Sequence, residues 1–137
     1  MTRINCIDPS ELHDKHLLAE YRELPRIFSI VRSHIEANTL SLVDIPRQYT
    51  LGKGHMKFFY NKLNYLYLRQ VQLIKELGSR NYTVSFQHPE DFLEGMPEYV
   101  LNDWIPTPEA IAINTARINE RLAVMKIPTL KFLVKEK

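Results

Sequence analysis

The sequence predicts an all-α fold, a single compact domain of three main helices joined by long irregular connections. Two observations carry this. In three separate stretches apolar residues recur at spacings of three and four, as they do on a helix with one buried face. Few segments alternate apolar and polar residues with the period of two that a half-buried strand needs. A chain of 137 residues suits one domain with a real core, so residues 1–137 are read as one unit.

The first helix is expected after "DPSE", with Asp8 as cap, Pro9 in the first turn and Glu11 at the third helical position. Asp14 is a second candidate start. Leu17, Tyr21, Leu24, Phe28, Val31 and Ile35 form its apolar stripe, and Pro25 removes one backbone donor and should kink it. Residues 38–56, with Pro46, Gly52 and Gly54, read as irregular connection. The second helix carries Leu63, Leu66, Tyr67, Gln70, Ile74 and Leu77 and should stop between Gly78 and Asn81. The long polar segment that follows is expected to hold a short helix near Pro89–Leu93. The third helix starts at "TPEA", where Thr107 caps, Pro108 opens and Glu109 suits the positive end of the dipole. Ile111, Thr115, Ile118, Leu122 and Met125 form its stripe, and Pro128 should end it.

Composition excludes several classes. With 45% hydrophobic and 25% charged residues the chain is globular in type, and no apolar run approaches the roughly 18 residues that span a bilayer. The N-terminal "MTRINCIDP" lacks the order of a secretory signal. Cys6 is the only cysteine, which rules out an internal disulfide or a thiolate cluster. A cytoplasmic setting without membrane contact is expected. His13, His16, His34, His55 and His88 show no zinc spacing, so no metal is expected. "LGKGH" (51–55) lacks the full spacing of a phosphate-cradling loop and reads first as a tight turn, with a phosphate contact as the functional option.

A net charge of +2 says little about partners unless the bases gather on one surface. They do. Opposite the stripe of the first helix lie Lys15, His16, Ala19, Arg22, Glu23 and Arg26. A solvated face is the plain explanation, but Arg22 and Arg26 are four apart and project together, with Glu23 beside them. Asn114, Arg117 and Arg121 lie on one flank of the third helix, where solvated surface is again the plain alternative. Gln70 lies close to the packed stripe of the second.

"MTRIN" at the N-terminus, "HLLAEYRELPR" (16–26), "GHMKFFYNKL" (54–63) and "AIAINTARINER" (110–121) together resemble the pyrimidine-dimer DNA glycosylases of the phage-type endonuclease V family, over nearly the whole chain to about residue 128. The resemblance implies a compact three-helix enzyme that binds damaged double-stranded DNA, flips a base out of the stack, removes the damaged base and nicks the strand, as a monomer and without a cofactor. It implies that the nucleophile is the α-amino group of Thr2 after removal of Met1, and that Glu23 is the catalytic glutamate. Arg3, Arg22, Arg26 and Arg117 stand at its DNA-contacting positions, Arg121 stands where a lysine is known, and His16 and Gln70 also match. The C-terminal "IPTLKFLVKEK" offers only Phe132 where the family is rich in aromatics, which leaves a different lesion preference as an alternative. A DNA-binding domain without catalysis and a module that binds an acidic protein are the other readings.

Overall fold

The computed structural model describes residues 3–84 and 88–125. Among these, five α-helical segments occur and no strand: α1 (Asp14–Glu23), α2 (Pro25–Glu36), the single turn α3 (His55–Phe58), α4 (Leu63–Ser79) and α5 (Pro108–Val124). The fold is all-α, as the apolar periodicity predicts. No helix of the described residues is long and apolar enough to cross a membrane.

The two expected starts of the first helix both exist, with different structures. Asp8 accepts from the Ser10 N–H and caps a short 3-10 turn, Pro9–Glu11, while α1 begins at Asp14. Its cap is His13, whose Nδ1 accepts the Lys15 N–H at 3.1 Å. Pro25 then divides the expected single helix at Leu24. Lacking an N–H, Pro25 cannot satisfy the Tyr21 carbonyl four residues back. Gln70 of α4 donates its side-chain N–H to that oxygen at 3.1 Å instead, so the break in one helix is repaired from another.

α4 runs to Ser79, and Asn81, with φ of 68°, takes the left-handed stop conformation. The expected short helix is a 3-10 segment, Pro89–Leu93, on which Phe92 stacks against Phe28 of α2 at 4.8 Å. α5 opens as read: the Thr107 hydroxyl accepts the Ala110 N–H at 3.0 Å, a cap that contributes about 1 kcal/mol. It ends at Val124, and Pro128 lies outside the described residues. The "LGKGH" stretch is a turn, with Gly52 and Gly54 at φ of 76° and 91° and the His55 N–H bonded to the Gly52 carbonyl.

The core is one hydrophobic cluster that includes Leu17, Leu24, Phe28, Leu63, Leu66, Leu73, Ile118 and Leu122. α1 packs on α4. Through this core runs the N-terminal arm, residues 3–7. Ile4, Asn5, Cys6 and Ile7 are buried, although no period in "MTRINC" predicts it. Such a buried non-helical segment must find partners for its backbone polar groups elsewhere, and side chains supply them. His55 Nε2 accepts the Ile4 N–H at 2.7 Å, and Tyr49 donates its hydroxyl to the Ile4 carbonyl at 3.0 Å. The Cys6 N–H donates to Asn114 Oδ1 at 2.7 Å, and Arg69 Nη1 to the Ile7 carbonyl at 2.6 Å.

The Asn5 side chain completes the anchorage. Its Nδ2 donates to Glu20 at 2.8 Å, and its Oδ1 accepts from Asn114 at 2.7 Å. Glu20 is in turn held by Arg69, with Nε to Oε2 at 2.8 Å and Nη2 to Oε1 at 3.1 Å. Asn114, expected on a solvated flank of α5, is fully buried because it joins α5 to the arm. The Glu20–Arg69 pair has almost no solvent contact, so removing one charge leaves the other buried without compensation. Glu20→Gln should lower stability by about 3–5 kcal/mol, read from the urea midpoint. An unchanged midpoint would show that the pair is dispensable.

Candidate active site

The arm emerges at Arg3 beside a pocket of about 200 Å³ lined by Arg3, Asn5, His16, Ala19, Glu20, Glu23, Arg117, Ile118 and Arg121. Three elements build it. Residues 16, 19, 20 and 23 are successive three- and four-residue steps along α1 and so share one face. Residues 117, 118 and 121 do the same on α5, and the arm lies between. Small Ala19 leaves open the space that a larger side chain would fill.

Two carboxylates face this pocket, and their environments separate them. Glu20 has every oxygen engaged by Arg69 and Asn5, and its side chain is sealed from solvent. Glu23, one helical step nearer the surface, keeps 26% of its side chain exposed and lies 3.2 Å from Arg26. Glu23 is therefore the carboxylate that an incoming molecule can reach.

The positive charges are crowded. Desolvation first, and then the charge of Arg117, lower the Arg3 pKa, with Arg121 acting in the same direction and Tyr49 against it. Burial also lowers the His16 pKa, reinforced by His13 and Arg121. Arg117 meets Glu120 at 3.0 Å on its outer side, but its buried Nε has no hydrogen-bond partner among the described residues, nor does His16 Nδ1. The unused Arg117 Nε–H and the mutual repulsion of Arg3, Arg117 and Arg121 both favour an arriving anion. Arg3, Arg117 and Arg121 also line a wider groove of about 770 Å³ that reaches Leu51 and Gly52, so the positive wall continues past the pocket.

Not every residue singled out in the sequence meets here. Arg3, His16, Glu23, Arg117 and Arg121 do. Arg22 and Arg26 are exposed on the outer surface of the α1–α2 junction, beside the pocket lining rather than in it. Gln70 is 1% exposed and donates to the Tyr21 carbonyl, so it braces the Pro25 break and stands apart from the residues that line the pocket. Thr2 lies outside the described residues, one position before Arg3. Cys6 is buried in the arm, and desolvation pushes its thiol up to about 12, which leaves it inert at neutral pH. The anchors of the arm are Asn5, Glu20, Tyr49, His55, Arg69 and Asn114; of these Asn5, Glu20 and Tyr49 are not singled out in the sequence, and none reads there as an anchor. The only signal for them in the sequence is the presence of charged or amide side chains near apolar stripes.

Volume alone does not select this pocket. A cavity of about 430 Å³ opens elsewhere between Cys6, Tyr65, Arg69 and Lys75, but its Arg69 is already spent on Glu20 and Ile7.

A helical frame that presents one accessible carboxylate beside crowded arginines suits a protein that works on a polyanion. The family model described as pyrimidine dimer DNA glycosylase matches residues 1–89, and the chain belongs to that family. It is thus a DNA glycosylase, with DNA as its substrate. The matched span holds the arm, α1 and Glu23, while Arg117 and Arg121 of α5 lie beyond it.

Proposed function

We propose that the chain works as one bifunctional domain that excises pyrimidine dimers from duplex DNA and then nicks the strand, with the α-amino group of Thr2 as nucleophile and Glu23 as the catalytic carboxylate. One observation carries this reading: the anchored arm places Arg3, the residue after Thr2, at a pocket that has an accessible glutamate and three arginines, yet no lysine lines that pocket among the described residues. An amine acting there comes most directly from the arm itself. An α-amino group has a reference pKa of about 7.7–8.0, against roughly 10.4 for lysine, so a useful fraction is unprotonated at neutral pH.

The steps balance without a metal. The amine nitrogen bonds to C1′ of the deoxyribose, the glycosidic C–N bond breaks, and the base leaves with that electron pair and a proton. Opening of the C1′–O4′ bond gives an imine between Thr2 and the sugar. Loss of a C2′ proton then expels the 3′ phosphate by β-elimination. Glu23 stabilises the cationic sugar as charge develops and handles the protons of ring opening. Arg3, Arg117 and Arg121 hold the flanking phosphates, with Arg22 and Arg26 extending the contact along the strand, and His16 lends a further donor. Flipping the target nucleotide out of the stack brings C1′ within reach.

Borohydride reduction tests the chemistry, because it converts the imine into a stable protein–DNA adduct. Protein beginning at Thr2 should be trapped on dimer-containing and abasic duplexes and not on undamaged DNA. Trapping on the abasic duplex alone would assign the lyase step and a different lesion. Arg22→Ala, Arg26→Ala and Arg117→Ala should each reduce the slope of log affinity against log salt by about one phosphate contact. Slopes unchanged in all three would place the DNA on another surface.

A further inference from the structure

We propose that His55 is a positioning residue for the nucleophile, fixing the N-terminal arm through the acceptor nitrogen of one neutral tautomer. The inference rests on the reading of the Thr2 amine given above.

His55 opens α3 immediately after the Gly52–Gly54 turn, and it is 2% exposed. Its Nδ1 lies 2.8 Å from the Thr50 carbonyl, an oxygen that can only accept. Its Nε2 lies 2.7 Å from the Ile4 backbone nitrogen, which can only donate. These partners require a proton on Nδ1 and a lone pair on Nε2. The Ile4 carbonyl is held at the same time by the Tyr49 hydroxyl, and Tyr49 packs edge-on against the His55 ring at 5.4 Å. Ile4 is therefore gripped on both sides, and the amine of Thr2 is two residues upstream. A hydrogen bond there fixes the backbone next to Arg3, which lines the pocket with Glu23.

Protonation would put a hydrogen on Nε2 facing the Ile4 N–H and turn an attraction into donor against donor. The surroundings oppose it. Burial lowers the His55 pKa most, the Thr50 carbonyl acts in the opposite direction, and the charge of Arg3 lowers it further. Phe59, which packs on the ring at 5.6 Å, carries no charge, and Tyr49 presents a neutral hydroxyl. A lowered folded pKa means that the stability from this contact is complete above the unfolded value of about 6.5 and is lost as pH falls through the folded value.

Two substitutions separate the ring nitrogens. His55→Asn keeps a donor near Nδ1 and removes the acceptor, whereas His55→Gln can place its amide oxygen where Nε2 was. Borohydride trapping at saturating abasic duplex should fall about 100-fold in H55N, as expected for a displacement of order 1 Å in a positioned reaction. DNA affinity and its salt slope should stay near wild type, and H55Q should recover most of the lost rate. Trapping by folded H55N at the wild-type rate would overturn the proposal, as would parallel loss of trapping and DNA binding in both variants. A measurement on the unaltered protein covers variants that fail to fold: the ¹⁵N shifts of the His55 ring should report a proton on Nδ1 and none on Nε2 at neutral pH. The opposite tautomer or a charged ring would overturn it. Failure of the wild-type protein itself to trap would instead sink the Thr2 reading.

Discussion

Acetylation of the Thr2 amine should abolish borohydride trapping while leaving salt-sensitive DNA binding in place. Retention of Met1 should have nearly the same effect for a geometric reason. One extra residue moves the amine by up to about 3.6 Å along an extended chain, and the arm cannot slide to compensate, because Ile4, Asn5, Cys6 and Ile7 each hold a fixed partner. Misplacement by about 1 Å already costs roughly a hundredfold in a positioned reaction. The check is mass spectrometry of the N-terminus alongside trapping on an abasic duplex. Efficient trapping by a verified blocked protein would move the nucleophile to a lysine side chain.

Glu23→Gln should lower the rate of strand cutting by at least ~10²-fold and leave binding to lesion DNA intact. Among the described residues that line the pocket, one other carboxylate is present. Glu20, three residues earlier on the same face, is committed to Arg69 and Asn5. The substitution should also cost little stability, since Glu23 is partly exposed and its ion pair with Arg26 spans i and i+3 on the surface, where such pairs contribute about 0–1 kcal/mol. Single-turnover cutting of a dimer-containing duplex, with affinity measured in parallel, decides the matter. Cutting at a near wild-type rate would make Glu23 structural.

The helices were legible wherever local rules govern. Thr107 and Pro108 open α5, Asn81 stops α4, and Pro89–Leu93 forms its short turn, because caps, prolines and left-handed stops act within a few residues. Residues 16, 19 and 23 were legible as one face because they share a single helix. The pocket as a whole was not. Asn114 read as flank because its partners, Asn5 and Cys6, are more than a hundred positions away. Glu20 and Arg69, 49 positions apart, neutralise each other inside the core, so neither declares itself in a one-helix projection. Gln70 shows the same limit: its place near the stripe was visible, but its bond to the Tyr21 carbonyl follows from a proline on another helix. Family resemblance pointed to its sequence position, whereas burial fixed its partner.

The anchoring of the arm also orders events in the life of the chain. The arm depends for its last contacts on Asn114, 108 positions after Cys6. Closing so long a loop is entropically slow and must await synthesis of α5. Until then the Cys6 N–H lacks the acceptor that it holds in the folded protein. Once α5 docks, Asn114 takes the Cys6 N–H and donates to the Asn5 side chain, and the arm gains its last anchor. The pocket that the arm, α1 and α5 line together is thus completed only when the last of its walls has been made.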